Sequence, residues 1–181
     1  MNSTTFHVVS KFPEPAFSAL ADQAFSDYEE SALLTAVTQE ELAARSATQD
    51  LNNAGDFRVA AFNDEILVGW TYARSEGTTL QMVNSGVALA ERRNGVYTQL
   101  VKLVIAHAQA TGFSTILSRH AANNNAVIIA KLKVGFMVSG FEYSEVYGPL
   151  VRLTYLVGNL RRQLYRKRSN PIRRLSPKHD A

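Results

Sequence analysis

The chain has 181 residues, 46% of them apolar, with 19 basic and 16 acidic side chains and no cysteine. That length suits one well-filled domain and is short for two, and the apolar share excludes a disordered chain. Without cysteine, disulfides, thiolate nucleophiles and Cys-based metal sites are excluded.

No apolar run approaches the ~20 residues of a membrane-spanning helix, and Met1–His7 has neither a basic nor an apolar leader region, so a soluble cytoplasmic protein is expected. The charge is unevenly spread. From Asn159 onward there are eight basic residues (Arg161, Arg162, Arg166, Lys167, Arg168, Arg173, Arg174, Lys178) against Asp180 alone. Residues 1–158 then carry 11 basic and 15 acidic groups, so a mildly acidic body precedes a strongly basic tail.

In chain order, Thr5–Ser10 alternates as an edge strand does, and Pro13-Glu14-Pro15 sets up a helix start. Phe17, Leu20, Ala21, Ala24, Phe25 and Tyr28 recur at helical spacing, and this helix stops near Ser26–Ser31. Asp27, Glu29 and Glu30 form an acidic cluster there, read either as a solvated helix end or as a lip that attracts a cationic substrate. Thr38-Gln39-Glu40-Glu41 resembles a capping box and predicts a second helix from Gln39 to about Leu51.

Phe57–Phe62 and Ile66–Ala73 make a β-hairpin around Asn63-Asp64-Glu65, with Ile66, Val68, Trp70 and Tyr72 on one face and Trp70 in the core. Arg74–Gly77 turns into a third strand, Thr79–Leu89, whose middle, Asn84-Ser85-Gly86, breaks the apolar pattern as a bulge does. A helix over Gly95–Thr111 buries Tyr97, Leu100, Val101, Val104, Ile105 and Ala108 before Gly112 stops it. Then come a strand, Thr115–Ala121, a short helix capped within Asn123–Asn125, and closing strands near Phe136–Ser144 and Leu150–Val157. Gly158–Ala181 is polar and basic. Its first part suits a short helix with Leu160, Leu164 and the Arg168 stem on one side.

The most informative stretch is Val87–Leu100, a strand that passes through Glu91-Arg92-Arg93-Asn94-Gly95 into a helix. Free amides and the positive end of the helix dipole meet there, a place suited to an anion. By itself the signal is weak, because basic loops before helices are common.

Order and spacing together resemble the GNAT superfamily of acyl-CoA-dependent N-acyltransferases over roughly residues 5–157, most strongly from Leu80 to Phe136. In that family a bulged strand precedes Arg/Gln-x-x-Gly-x-Gly/Ala. Here the pattern is Arg92-Arg93-Asn94-Gly95-Val96-Tyr97, with Tyr97 in place of the usual small residue and Leu89 where proline is frequent. Downstream, Asn124, Val127–Ala130 and Gly135-Phe136 match the family's Asn, apolar helix and Gly-Phe.

The resemblance implies an α/β (α+β) fold, a mixed, mostly antiparallel twisted sheet of about seven strands with helices on both faces. It implies a GNAT-like domain over residues 1–158, followed by a basic extension, 159–181, partly helical or disordered. It implies acetyl-CoA as co-substrate, held by Val87, Leu89, Arg92, Arg93, Asn94, Gly95, Val96, Tyr97 and Asn124. Loop amides would carry the pyrophosphate at about 1.5–3 kcal/mol for each charge-assisted bond. Homodimerisation through the closing strands is a further family-based expectation.

Amide formation needs a neutral amine, an oxyanion stabiliser and a proton for the departing thiolate. His120, at the end of Thr115–Ala121, is the best placed base, with Glu29 or Glu30 as alternatives acting from the acceptor lip; a histidine satisfied by loop backbone is the competing reading. A backbone N–H near Val87 would meet the oxyanion. The family commonly places a tyrosine general acid four residues before the Gly-Phe glycine, and here that residue is Lys131. Lys131 would protonate the thiolate, stabilise it by charge, or face solvent, with Tyr97, Tyr143 and Tyr147 as substitutes. His7, His107 and His179 read as structural or exposed, and no metal-ligand spacing occurs.

The leading expectation is an N-acetyltransferase acting on a primary amine of a small molecule or peptide. The alternatives are an acyl-CoA-binding sensor without turnover, and nucleic-acid or anionic-membrane association through Arg161–Lys178. The tail lacks aromatic interleaving beyond Tyr165, so a disordered solubilising tail is the preferred reading of it.

Overall fold

The structure is a computed structural model that describes residues 4–25, 55–145 and 147–169. The predicted helix over Gln39–Leu51, the acidic cluster Asp27, Glu29 and Glu30, and the tail beyond residue 169 lie outside the described residues.

Strand β1 (Thr5–Val8) leads through Pro13–Pro15 into helix α1 (Ala16–Phe25). The helix is nucleated by its own entry: Phe17 N–H donates to Pro13 O at 2.9 Å, and Glu14 Oε2 accepts from Ser18 N–H at 3.2 Å and Ser18 Oγ at 2.8 Å. The hairpin β2 (Phe57–Asn63) and β3 (Ile66–Glu76) follows, and β3 continues beyond the expected Ala73. Glu76 pairs with Thr79, so the turn into β4 (Thr79–Val87) is tight, with Gly77 at φ 60°.

A 3-10 turn at Leu89–Glu91 precedes α2 (Val96–Ala110), which leads to β5 (Thr115–Ala121). Helix α3 (Asn125–Lys133), strands β6 (Met137–Ser144) and β7 (Gly148–Leu156), and helix α4 (Asn159–Ser169) complete the described chain. The predicted third strand ends sooner than expected. Ala88 N–H makes the last bond to Val68 O, and Glu91 N–H then closes back on Ala88 O, which removes Leu89 from the sheet.

The seven strands form one mixed sheet in the order β1-β2-β3-β4-β5-β7-β6, antiparallel except for the parallel pair β4–β5. One face is covered by α2 through Val96, Leu100, Val101, Val104, Ile105 and Ala108, packed on Val59, Ala61, Leu80 and Ile116. Against the opposite face, α1 lays Phe17, Leu20, Ala21 and Ala24 on Ala60, Leu67 and Trp70. Each fully buried large aliphatic side chain contributes about 1.5–3 kcal/mol, so both layers are well anchored.

One expectation needs correction. Ile66, Val68, Trp70 and Tyr72 do not share a face, because the β2–β3 register shifts between Ala61 and Phe62. Leu67 and Trp70 pack under α1, whereas Val68 packs with the α2 side, and Ile66 is exposed. A bulge resets the alternation of side chains, which the period-two pattern alone does not reveal. His107 has a structural place, its ring stacked on Phe57 with centroids 3.9 Å apart. Among the described residues no helix is long and apolar enough to cross a membrane.

Candidate active site

The site begins with a pairing that stops. Strands β4 and β5 run side by side only from Thr79–Thr115 to Met82–Ser118. Beyond that point β4 continues to Val87 on β3, and β5 continues to Ala121 on β7. The two strands therefore keep their outer partners and lose each other, which leaves a wedge with backbone groups on its inner edges.

The β4 wall is bent by design of sequence. The β3–β4 register shifts between Tyr72 and Ala73, opposite Met82–Asn84. Gly86 sits against the Trp70 ring so closely that a Cβ there would collide with it. Trp70 Nε1–H donates to Asn84 Oδ1 at 3.0 Å, and Thr71 and Ser85 share a hydroxyl contact at 2.7 Å. The bulge expected at Asn84-Ser85-Gly86 therefore lies one residue earlier, at Val83, which the register skips, while Asn84, Ser85 and Gly86 pair regularly with Tyr72, Thr71 and Trp70.

The loop after β4 is held from both ends. Arg92 Nε–H donates to Val87 O at 3.2 Å, and Glu91 accepts from Asn63 Nδ2 at 3.1 Å and from Asn94 Nδ2 at 3.4 Å. Arg93 at φ 69° and Gly95 at φ 84° turn the chain into α2, and no side chain caps the helix. The first amides of α2 consequently point outward with the positive end of the dipole, and open space lies where a Cβ of Gly95 would be. Uncapped amides beside open space are the donor chemistry that a diphosphate takes. Tyr97, in the first turn of α2, is partly buried against the core with a buried hydroxyl that has no hydrogen-bond partner, and burial pushes its pKa up. Leu89 is exposed on the 3-10 turn. Asn124 is occupied as the N-cap of α3, its Oδ1 accepting from Val127 N–H at 3.3 Å.

At the apex of the wedge lies Lys131. Its side chain is 0% exposed, its Nζ is 3.0 Å from Met82 Sδ and 4.8 Å from the centre of the Phe136 ring. Burial lowers its pKa well below that of an ordinary lysine. Beside it, His120 Nε2 is 3.2 Å from Ser118 Oγ, and burial followed by the Lys131 charge pushes the imidazole pKa down to about 3. Among the described residues no carboxylate forms a salt bridge with either group. An amine and an imidazole, both disfavoured in their charged forms, thus sit together where two strands part.

Of the candidates read from sequence, His120 and Lys131 are brought together, and Val87, Leu89 and Arg92–Tyr97 lie along one stretch from the end of β4 into the first turn of α2. Glu29 lies outside the described residues. Tyr143 and Tyr147 are exposed, and Tyr97 stands in the first turn of α2. The sequence reading missed Met82 and Ser118, which line the apex. Their only signal is register, as the last paired residues before the wedge. Among the described residues no cluster of three His, Cys, Asp or Glu could hold a metal ion.

The fold recurs in solved structures. An N-acetyltransferase from Staphylococcus aureus Mu50 is 19% identical, with 86% of this chain and 99% of that chain covered at a TM-score of 0.66. The Escherichia coli ribosomal-protein-S18-alanine N-acetyltransferase is 12% identical, with coverages of 86% and 95% and a TM-score of 0.65. A Bacillus anthracis str. Ames protein assigned as a streptothricin acetyltransferase, solved with acetyl coenzyme A, is 16% identical over 56% of this chain and 62% of that one, at a TM-score of 0.53. No curated protein sequence matches the chain. The model of the acetyltransferase (GNAT) family matches residues 15–136, which span the α1 layer, the wedge and the loop. The chain belongs to the GNAT family of acetyltransferases, whose acyl donor is acetyl-CoA.

Proposed function

We propose that the chain transfers the acetyl group of acetyl-CoA to a primary amine of a small molecule or peptide inside the β4–β5 wedge. The observation that carries this reading is the loss of β4–β5 pairing beyond Met82–Ser118 with Lys131 buried at its apex. The amides of Gly95–Tyr97, aided by Arg93, hold the pyrophosphate, and the free inner edge of β4 from Asn84 to Val87 receives the pantetheine amides. A backbone N–H near Val87 meets the oxyanion.

Lys131 manages the proton. An acceptor ammonium with a pKa near 10.4 costs roughly 4–5 kcal/mol to deprotonate at pH 7. Lys131 takes that proton transiently, directly or through His120 and Ser118, and because burial makes its ammonium a stronger acid than an ordinary lysine it passes the proton on to the departing CoA thiolate. Charge is created and neutralised within one dry pocket, where each electrostatic contact is stronger than in water. His120 is a weak base at its lowered pKa and acts as a relay and as an orienting partner of Ser118.

Calorimetric titration with acetyl-CoA, followed by a broad amine screen that reads thiol release, tests the proposal. Micromolar binding with amine-dependent thiol release is expected. Failure to bind acetyl-CoA would overturn it. One observation favours a second reading, an acyl-CoA-binding module without turnover: Lys131 replaces the family's usual tyrosine and is sealed from solvent. Tight binding with no acceptor among the amines would select that reading.

A further inference from the structure

Away from the wedge, one face of the molecule is apolar where a monomer's surface is normally polar. Phe141 pairs with Val151, whose side chain lies in the core on the α2 side of the sheet, so Phe141 projects from that same face and Tyr143 follows it. Both rings are exposed, at 78% and 81%. Ile129 and Leu132 are exposed too, on α3, which runs into this strand through Val134–Phe136, and β6 is an edge of the sheet.

Helix α4 extends the face. Its inner side is fixed by Arg162, which donates to Leu156 O at 2.6 Å and Val157 O at 2.7 Å and lies 5.0 Å from the centre of the Tyr155 ring. Tyr165 reaches Val138 O on β6 at 3.5 Å. The outer side therefore presents Leu160 and Leu164, exposed at 69% and 45%, in one stripe with Lys167 and Arg168. The helix holds Arg161, Arg162, Arg166, Lys167 and Arg168 and no acid, Lys133 adds a charge from α3, and Arg173, Arg174 and Lys178 follow in sequence.

We propose that the α3–β6–α4 face docks this enzyme on an anionic lipid bilayer, with Leu160 and Leu164 entering the headgroup layer and the surrounding cations meeting lipid phosphates. The charge selects the partner. Two copies of this chain meeting through α4 would bring two acid-free basic helices together, which opposes self-association. Nucleic acid would satisfy the cations but leave the aliphatic Ile129, Leu132, Leu160 and Leu164 without an apolar partner. A bilayer satisfies both, because basic side chains extend their charges to the headgroups while apolar ones sink below them. The inference is independent of acyl transfer, since none of these residues lines the wedge.

Sedimentation of the full chain with vesicles tests it, using phosphatidylcholine alone or with about one third phosphatidylglycerol at about 0.15 M salt. Binding to the anionic vesicles only is expected. The double variant Lys167→Gln/Arg168→Gln should weaken it about 25-fold, roughly fivefold for each charge. Leu160→Asn/Leu164→Asn should weaken it about tenfold or more while leaving the melting temperature and acetyl-CoA binding unchanged. Absence of binding to anionic vesicles would overturn the proposal, as would wild-type vesicle binding by the leucine variant. A dimer in light scattering that the leucine variant dissolves would also overturn it, and would assign the face to a second copy.

Discussion

Lys131 Nζ and Met82 Sδ are 3.0 Å apart, which places the amine of α3 on the last residue of β4 that still pairs with β5. A thioether is a weak acceptor, and it does not repay the hydration that a lysine ammonium gives up. The charged form of the amine is therefore disfavoured by its surroundings. A proton taken up there is readily given on, so the amine is fit to pass one from the acceptor to the departing thiolate.

Replacing Lys131 by methionine separates stability from chemistry. Lys131→Met fills nearly the same volume without a buried titratable group, so stability should rise by about 1–3 kcal/mol, read as a shifted denaturant midpoint. Turnover with the best amine should fall about 100-fold, while acetyl-CoA affinity stays within a factor of a few. Unchanged turnover would remove Lys131 from the proton path.

Gly86 is required by the Trp70 ring rather than by its own backbone. A methyl group at Gly86 would occupy ring positions of Trp70, which is fully buried beneath α1 and tied to Asn84. Gly86→Ala should therefore cost about 1–3 kcal/mol and displace the Asn84–Val87 end of β4 along the wedge. Thermal unfolding measures the first effect. A weaker acetyl-CoA dissociation constant in the variant, measured well below its melting temperature, reports the second.

Tyr97 departs from the small residue usual in its family, and its hydroxyl is buried without a partner. An orphaned buried hydroxyl is unfavourable by about 1–3 kcal/mol, so Tyr97→Phe should stabilise the ligand-free protein by about 1 kcal/mol. If acetyl-CoA supplies the missing partner, the stabilisation produced by saturating ligand will be smaller in the variant than in the wild type. An equal ligand-induced shift would make the hydroxyl irrelevant to donor binding.

Local signals carried the fold a long way. Prolines at the α1 entry, Gly112 after α2 and the alternation of β7 each act within a few residues, and each element appears where those signals place it. What escaped the sequence depends on partners far along the chain. Val68 turns away from Trp70 because of a register shift against β2. Lys131 is buried because Met82 and Phe136 close over it, one of them 49 residues distant. A lysine in a helix pattern reads as solvent-facing by default, and only its coincidence with a family position drew attention to it.

His120 gives a pH dependence whose sign follows from its lowered pKa. In the unfolded chain the imidazole takes up its proton near pH 6.5, whereas in the folded protein it does so only at about 3. Below pH 6.5 the unfolded state binds the extra proton, so the native state loses stability as pH falls, until the folded imidazole also titrates near 3. Above pH 6.5 the group is neutral in both states and has no effect. His120→Gln keeps a polar side chain without that titration. The difference in unfolding free energy between variant and wild type, followed by urea titration from pH 8 to pH 3, should be constant above about pH 6.5 and should move steadily in the variant's favour below it. A flat difference across the whole range would mean that His120 is hydrated in the folded protein, which would also remove it from the dry pocket with Lys131.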